Sequence, residues 1–219
     1  MPGLADATAT GRLRLDAIAR WLQDAAYLDI VDAGLADRGG WVVRRTRLRV
    51  ESFPRFGAPV LVRTFCSAAG RVAAERRTSV SGGGAAVEAV AMWIHVDTET
   101  LRPLRLGEEF DAVYGESAGE RKANFRLRHP EPSEDAEPMS WHFRATDVDL
   151  AGHVNNAAYW EPVEEELCQG PEPASADMEI EYREPAQPGE ARIVRDRSVI
   201  WVTDTRGALH ASIVGLASG

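Results

Sequence analysis

The feature that most constrains this chain is that part of it occurs twice. Leu48 to Arg63 lies over Ile180 to Arg195 without a gap. The apolar beats, the turn glycine (Gly57 over Gly189) and the closing arginine all coincide. Gly11-Arg12-Leu13 echoes Gly152-His153-Val154 in the same way, and each triplet stands before a helical pattern. Self-similarity of this kind marks one supersecondary unit used twice.

The unit can be read from its periodicity. Leu15, Ile18, Leu22, Ala25 and Ala26 recur at helical spacing, with Asp16, Arg20, Gln23 and Asp24 opposite. The spacing predicts a helix from Leu15 to about Ala33, closed by Gly34 at a left-handed C-cap. Strands are expected at Trp41–Val50, Pro59–Ala68, Arg71–Val80 and Ala85–Val96, with Gly82-Gly83-Gly84 as the last turn. The order then repeats: a strand at Trp141–Thr146, a helix from Asn156 to about Leu167, and strands near Asp177–Arg183, Arg192–Val202 and Ala208–Leu216. A helix enclosed by antiparallel sheet, given twice, is an α+β fold with a pseudo-twofold axis. The expected division is a first unit over residues 1–110, an acidic Gly- and Pro-containing linker over 111–138, and a second unit over 139–219.

Composition narrows the function classes. Apolar residues make up 44% and charged residues 27% of 219, an ordinary globular balance that excludes disorder as the main description. The longest apolar stretch, Ala85–Val96, is broken by Glu88 and falls short of a membrane span. The start, Met-Pro-Gly-Leu-Ala-Asp, has no basic then apolar pattern, and two cysteines make no disulfide framework, so a cytoplasmic protein is expected. Net charge is −9, and the acidity is concentrated after residue 110, which argues against nucleic acid as a partner.

The densest chemistry is Thr146-Asp-Val-Asp-Leu-Ala-Gly-His-Val-Asn-Asn-Ala-Ala-Tyr-Trp160, where a strand ends and a helix begins. Backbone N–H groups at a helix start are unpaired and partly positive, so they can hold a developing oxyanion. Asp149 is placed to act as base or nucleophile toward a carbonyl held by the Gly152 and His153 amides. From type and spacing alone, the same residues also suit a turn (Asp147, Asp149) and a helix cap (Asn155 or Asn156).

Asp149-Leu-Ala-Gly-His-Val-Asn-Asn-Ala-Ala-Tyr159 resembles the hotdog thioesterase signature, in particular the second half of acyl-carrier-protein thioesterases. Leu22-Gln-Asp-Ala-Ala, Trp41 to Gly57 and Ala91-Met-Trp-Ile-His-Val-Asp97 resemble the first half of the same family. The resemblance implies a double hotdog that hydrolyses fatty acyl thioesters in fatty acid biosynthesis, without metal or organic cofactor, on acyl-carrier-protein or acyl-CoA, as monomer or homodimer. It makes Asp149 and His153 catalytic, with Gly152 beside them. The family's usual Asn is replaced by Ala151, and its catalytic Glu falls on Pro185, with Glu184 one place early. It also implies an acyl pocket in the first half, for which Trp21, Leu22 and Ala25 on the first helix, with Asn155 and Asn156, are the substrate-binding candidates. Alternatives are a hotdog enoyl-thioester hydratase, which the Asp149–His153 spacing disfavours, and a non-catalytic acyl-binding module.

Three further patterns carry expectations. Gly115-Glu-Ser-Ala-Gly119 matches a nucleophile-elbow pattern but lacks the strand and helix that motif needs. Arg45, Arg47 and Arg49 alternate along one strand face, either as a dock for an acidic carrier protein or as a solvated outer face. Asp29 falls within the apolar arc of the first helix and is expected to be functional, paired or solvated.

Overall fold

The computed structural model describes residues 1–132 and 137–218. Its order is α1 (Leu15–Asp32), β1 (Gly40–Ser52), β2 (Leu61–Ala69), β3 (Ala73–Gly82), β4 (Ala85–Val96), α2 (Glu108–Ala118), β5 (Met139–Phe143), α3 (Glu161–Gln169), β6 (Ser175–Tyr182), β7 (Gly189–Asp196), β8 (Val199–Asp204) and β9 (Leu209–Ser218). The strands form one antiparallel sheet in the order β2-β3-β4-β1-β6-β9-β8-β7-β5. No helix among the described residues is long and apolar enough to cross a membrane.

The repeat dictates this topology. β1 and β6 pair antiparallel at the centre, with Arg47 opposite Glu179 and Leu48 opposite Met178. Glu179 is also the residue that lies over Arg47 in the sequence repeat, so the pseudo-twofold axis passes between these two strands. Thr46, Leu48, Ala176, Met178 and Ile180 point inward to one continuous core that includes Ile18, Leu22, Tyr159 and Trp160. Asp177, Glu179 and Glu181 share the outer face with the arginines of β1.

Three expectations need correction. A bulge at Arg44 turns Val43 inward beside Thr46, although simple alternation set Val43 with Arg45. The single strand expected at Arg192–Val202 is two, β7 and β8, because the chain turns at Arg197 with φ 50°. The expected linker contains α2, whose Phe110, Tyr114 and Ala118 pack on Ile30, Leu35 and Cys66. Beyond α2 the chain crosses the outer face of the sheet. The Arg128 and His129 amides donate to the buried Glu181 carboxylate (2.5 and 3.1 Å), and Trp201 Nε1 donates to the Pro130 carbonyl at 2.8 Å.

The loop before α1 and the loop before α3 are the same structure. Bridges Ala7–Leu13 and Val148–Val154 close them. In the first, Thr8 N donates to Arg12 O and Gly11 N to Thr8 O; in the second, Asp149 N donates to His153 O and Gly152 N to Asp149 O, all between 2.8 and 3.0 Å. Gly11 and Gly152 adopt φ 85° and 78°, which only glycine reaches without strain. The first copy is committed to structure. Its Arg12 sits where the second has His153, and forms a buried ion pair with Glu164 of α3. Glu164 Oε2 also accepts the Leu15 amide (2.9 Å), which caps α1 from the other half of the molecule.

Removing one partner of a buried pair strands the other charge. Glu164→Ala should therefore lose about 3–5 kcal/mol of stability, and Arg12→Met combined with Glu164→Leu should recover most of it. Urea unfolding of the two variants and the wild type measures this; equal losses in the single and double variants would show that packing, not charge, carries the contact.

Candidate active site

The second loop keeps its functional groups free of structural ion pairs. After β5 the chain makes a 3-10 turn at Ala145–Asp147, and Asp147 O accepts the Asn155 amide at 2.7 Å. Asp149 is half-buried. Its Oδ1 accepts the Ala151 amide (2.9 Å) and its Oδ2 accepts Asn155 Nδ2 (3.1 Å). Asn155 caps the helix that follows, because its Oδ1 accepts the Ala157 amide (2.9 Å). That bond leaves Nδ2 as the donor, and Nδ2 reaches both Asp149 and Gln23 Oε1 (3.0 Å). A carboxylate so held by two N–H donors is oriented and keeps a lone pair for a further donor.

Gln23 comes from α1, so the site is assembled from both halves. Sequence reading had placed it on the polar side of the first helix. The signal that identifies it is the repeat itself: with Gly11–Leu13 laid over Gly152–Val154, Gln23 falls on Glu164. The same helix position that clamps Arg12 in one half therefore holds Asn155 in the other, with an amide in place of a charge.

The remaining candidates divide. The Gly152 N–H is spent on the turn to Asp149 O (3.0 Å), so it is not available to an oxyanion as expected. The backbone N–H groups of His153 and Asn156 have no partner among the described residues. Asn156 opens a helical run formed by the 3-10 turn Asn156–Trp160 and α3, so its N–H stands at the positive end. The His153 side chain is half-exposed and makes no hydrogen bond among the described residues. Glu184 is exposed, and its carbonyl accepts His210 Nδ1 at 3.0 Å. Its side chain makes no hydrogen bond to the Asp149 loop. Tyr159 lies closer: burial pushes its phenol up to about 12, with the Asp149 charge adding in the same sense, and its oxygen accepts the Ala186 amide at 3.0 Å.

Asp149 and Asn156 stand at one end of a cavity of about 360 Å3. Gln23, Ala26, Tyr27 and Ile30 of α1 form one wall, and Trp41, Cys66, Ala74 and Trp93 of the sheet another. Trp21, Leu22 and Ala25 do not line it. Leu22 is in the main core with Trp21 against it, and the cavity lies along the helix face displaced from theirs. Leu28, farther along the same helix, is 64% exposed. Asp29 is paired: it bonds Arg76 at 2.6 Å and accepts the Tyr114 hydroxyl at 2.7 Å. A larger cavity of about 840 Å3, lined mainly by charged and polar residues such as Arg14, Glu161 and Glu190, does not include Asp149.

Two other patterns are structural. Gly115 to Ala118 of the elbow-like motif lies on α2, where Ser117 Oγ donates to the Tyr114 carbonyl. Arg45, Arg47 and Arg49 each pair with a carboxylate, of Glu179, Asp177 and Glu51 in turn, which offsets their charge along β1.

Comparison with known proteins agrees with this geometry. Residues 4–114 match the acyl-ACP thioesterase N-terminal domain, and residues 130–200 its C-terminal domain. An uncharacterised protein of Mycobacterium tuberculosis is 32% identical over 187 residues, covering 84% of this chain and 75% of that protein. An acyl-ACP thioesterase from Bacteroides thetaiotaomicron superposes with a TM-score of 0.80 at 18% identity, covering 97% of this chain and 93% of the other. A 12:0-ACP thioesterase from Umbellularia californica gives 0.76 at 19%, with 98% and 93% covered. The fold is thus the double hotdog of these structures. The chain belongs to the acyl-ACP thioesterase family and is a hydrolase of fatty acyl thioesters.

Proposed function

We propose that Asp149 is the base of this hydrolysis and that the 360 Å3 cavity beside it takes the acyl chain. The observation that carries the reading is the position of Asp149 and Asn156 together at one end of a largely apolar cavity. The thioester carbonyl points at the Asn156 N–H, and Asp149 accepts a proton from the attacking water. The oxygen of water bonds the carbonyl carbon, and negative charge gathers on the carbonyl oxygen against the helix start. The intermediate then collapses with loss of the thiol, which takes up the proton held by Asp149. One well-placed oxyanion donor is worth about 3 kcal/mol, so the amide supplies a large part of the rate. No metal or organic cofactor enters these steps. His153, beside the base, assists orientation of the incoming thioester.

Gln23 from the first half and Asp149 from the second complete the site within one chain, so a monomer suffices. The carrier is acyl carrier protein, in keeping with the family, and it docks elsewhere than on the paired arginines of β1. A cytoplasmic setting accords with two free cysteines, Cys66 and Cys168.

Asp149→Asn should lower kcat at least ~100-fold with an unchanged melting curve, and thiol release from acyl-carrier-protein and acyl-CoA series measures it. Near-full activity would remove the mechanism, and acyl binding without wild-type turnover would favour a binding module. His153→Ala should cost less, and Glu184→Gln should stay within several-fold of wild type. Gln23→Glu sets a second carboxylate against the Asn155–Asp149 pair. Like charge raises the pKa of the base, so the acid limb of the kcat/KM profile should move to higher pH, whereas Gln23→Ala should lower kcat without that shift. An unmoved limb would show that Gln23 does not act on Asp149.

A further inference from the structure

A second cavity, about 180 Å3, lies beyond the first under α2, and Ile30, Trp41 and Phe110 line both. These three side chains are a partition between two chambers. Its place along the substrate path follows from α1. Gln23 stands at the Asp149 end and Ile30 at the partition, seven residues on, which is about 10 Å of helix. The near chamber is therefore a slot that begins at the reacting carbonyl and stops at a wall.

That wall is braced. Trp41 is packed between His95 and Phe110, with ring centroids 4.9 and 5.8 Å away. Phe110 rests on Tyr114 at 4.8 Å. The Tyr114 hydroxyl is fixed to Asp29 (2.7 Å), Asp29 to Arg76 (2.6 Å), and the Arg76 guanidinium lies 5.6 Å over the Tyr114 ring. A half-buried polar clamp that joins α1, β3 and α2 thus holds α2 and Phe110 in position. Behind the wall, Leu35 and Leu106 offer apolar surface that the near chamber does not reach, and Arg38, His95, Arg105 and Glu109 also line it.

We propose that Phe110 and Trp41 set the maximum acyl chain length, and that the chamber behind them accepts the end of a longer chain once they are trimmed. This rests on the acyl reading of the near chamber. The near chamber, about 360 Å3, is twice the size of the far one, about 180 Å3.

The test is the rate profile over a series of saturated acyl-CoA thioesters, with a melting curve for each variant. Phe110→Ala should move the preferred length up by about two to six carbons and raise kcat/KM on the longer thioesters by at least ~10-fold, since each buried methylene contributes about 0.8 kcal/mol. Adding Leu106→Trp to Phe110→Ala should return the maximum to its wild-type length. Ala26→Phe, which fills the near chamber, should move it to shorter chains. If Phe110→Ala unfolds, Trp41→Leu opens the wall from the strand side and must give the same upward shift. A maximum unmoved in folded Phe110 and Trp41 variants, while Ala26→Phe still shortens it, would overturn the partition and leave the acyl cavity standing. No response to Ala26→Phe would overturn the acyl reading itself.

Discussion

The pairing of β1 with β6 is the contact on which the rest of the molecule depends. Two half-sheets, each with an unsatisfied inner edge, join there and leave no open strand at the centre. The register is symmetric about Arg47 and Glu179, which are both paired and repeat-equivalent. Symmetry of that kind brings each helix beside the loop of the other half. Gln23 reaches Asn155, and Glu164 reaches Arg12, only because the two units are joined in this register.

The same loop then serves two ends. Its backbone is duplicated bond for bond, down to the left-handed glycine, yet one copy holds Asp149 and the other Thr8. At the facing helix position, a glutamate makes a buried salt bridge in one half and a glutamine makes a neutral hydrogen bond in the other. The difference is chemical economy. The Asp149 carboxylate is held by neutral donors, whereas a permanent cation against it would hold it ionised and weaken it in the role of base proposed above. A carboxylate meant to hold two halves together is served by a buried arginine, where breaking the pair is costly.

The segment between the units is equally a part of the fold. α2 lends Phe110 to the lining of the 360 Å3 cavity, and the stretch after it is pinned across the outer sheet by Arg45, Glu181 and Trp201. Glu181 is fully buried only because this stretch covers it, and its two oxygens are satisfied by backbone amides. Asp29, anomalous on the first helix, is explained by the same segment, which supplies Tyr114.

The sequence by itself determined the repeat, the helices α1 and α3 and most strands, because each is written locally: helical spacing in Leu15–Asp32, alternation in β1, glycine turns at Gly57 and Gly189. It also singled out Asp149 and Asn155 as candidates through the family resemblance, since by type and spacing alone the same residues suit a turn and a helix cap. Distances across the fold were not legible there. The Arg44 bulge reverses a face by one residue, and α2 reads as linker because acids are interspersed with its apolar residues, Gly115 interrupts it and an acidic, Gly- and Pro-containing stretch follows. Whether Gly152 or Asn156 offers a free amide, whether Glu184 faces the site or solvent, and which face of α1 lines the cavity depend on where partners from distant segments come to rest. Those outcomes were decided by tertiary packing, because a hydrogen bond or a cavity wall is a property of two segments and a periodic pattern describes only one.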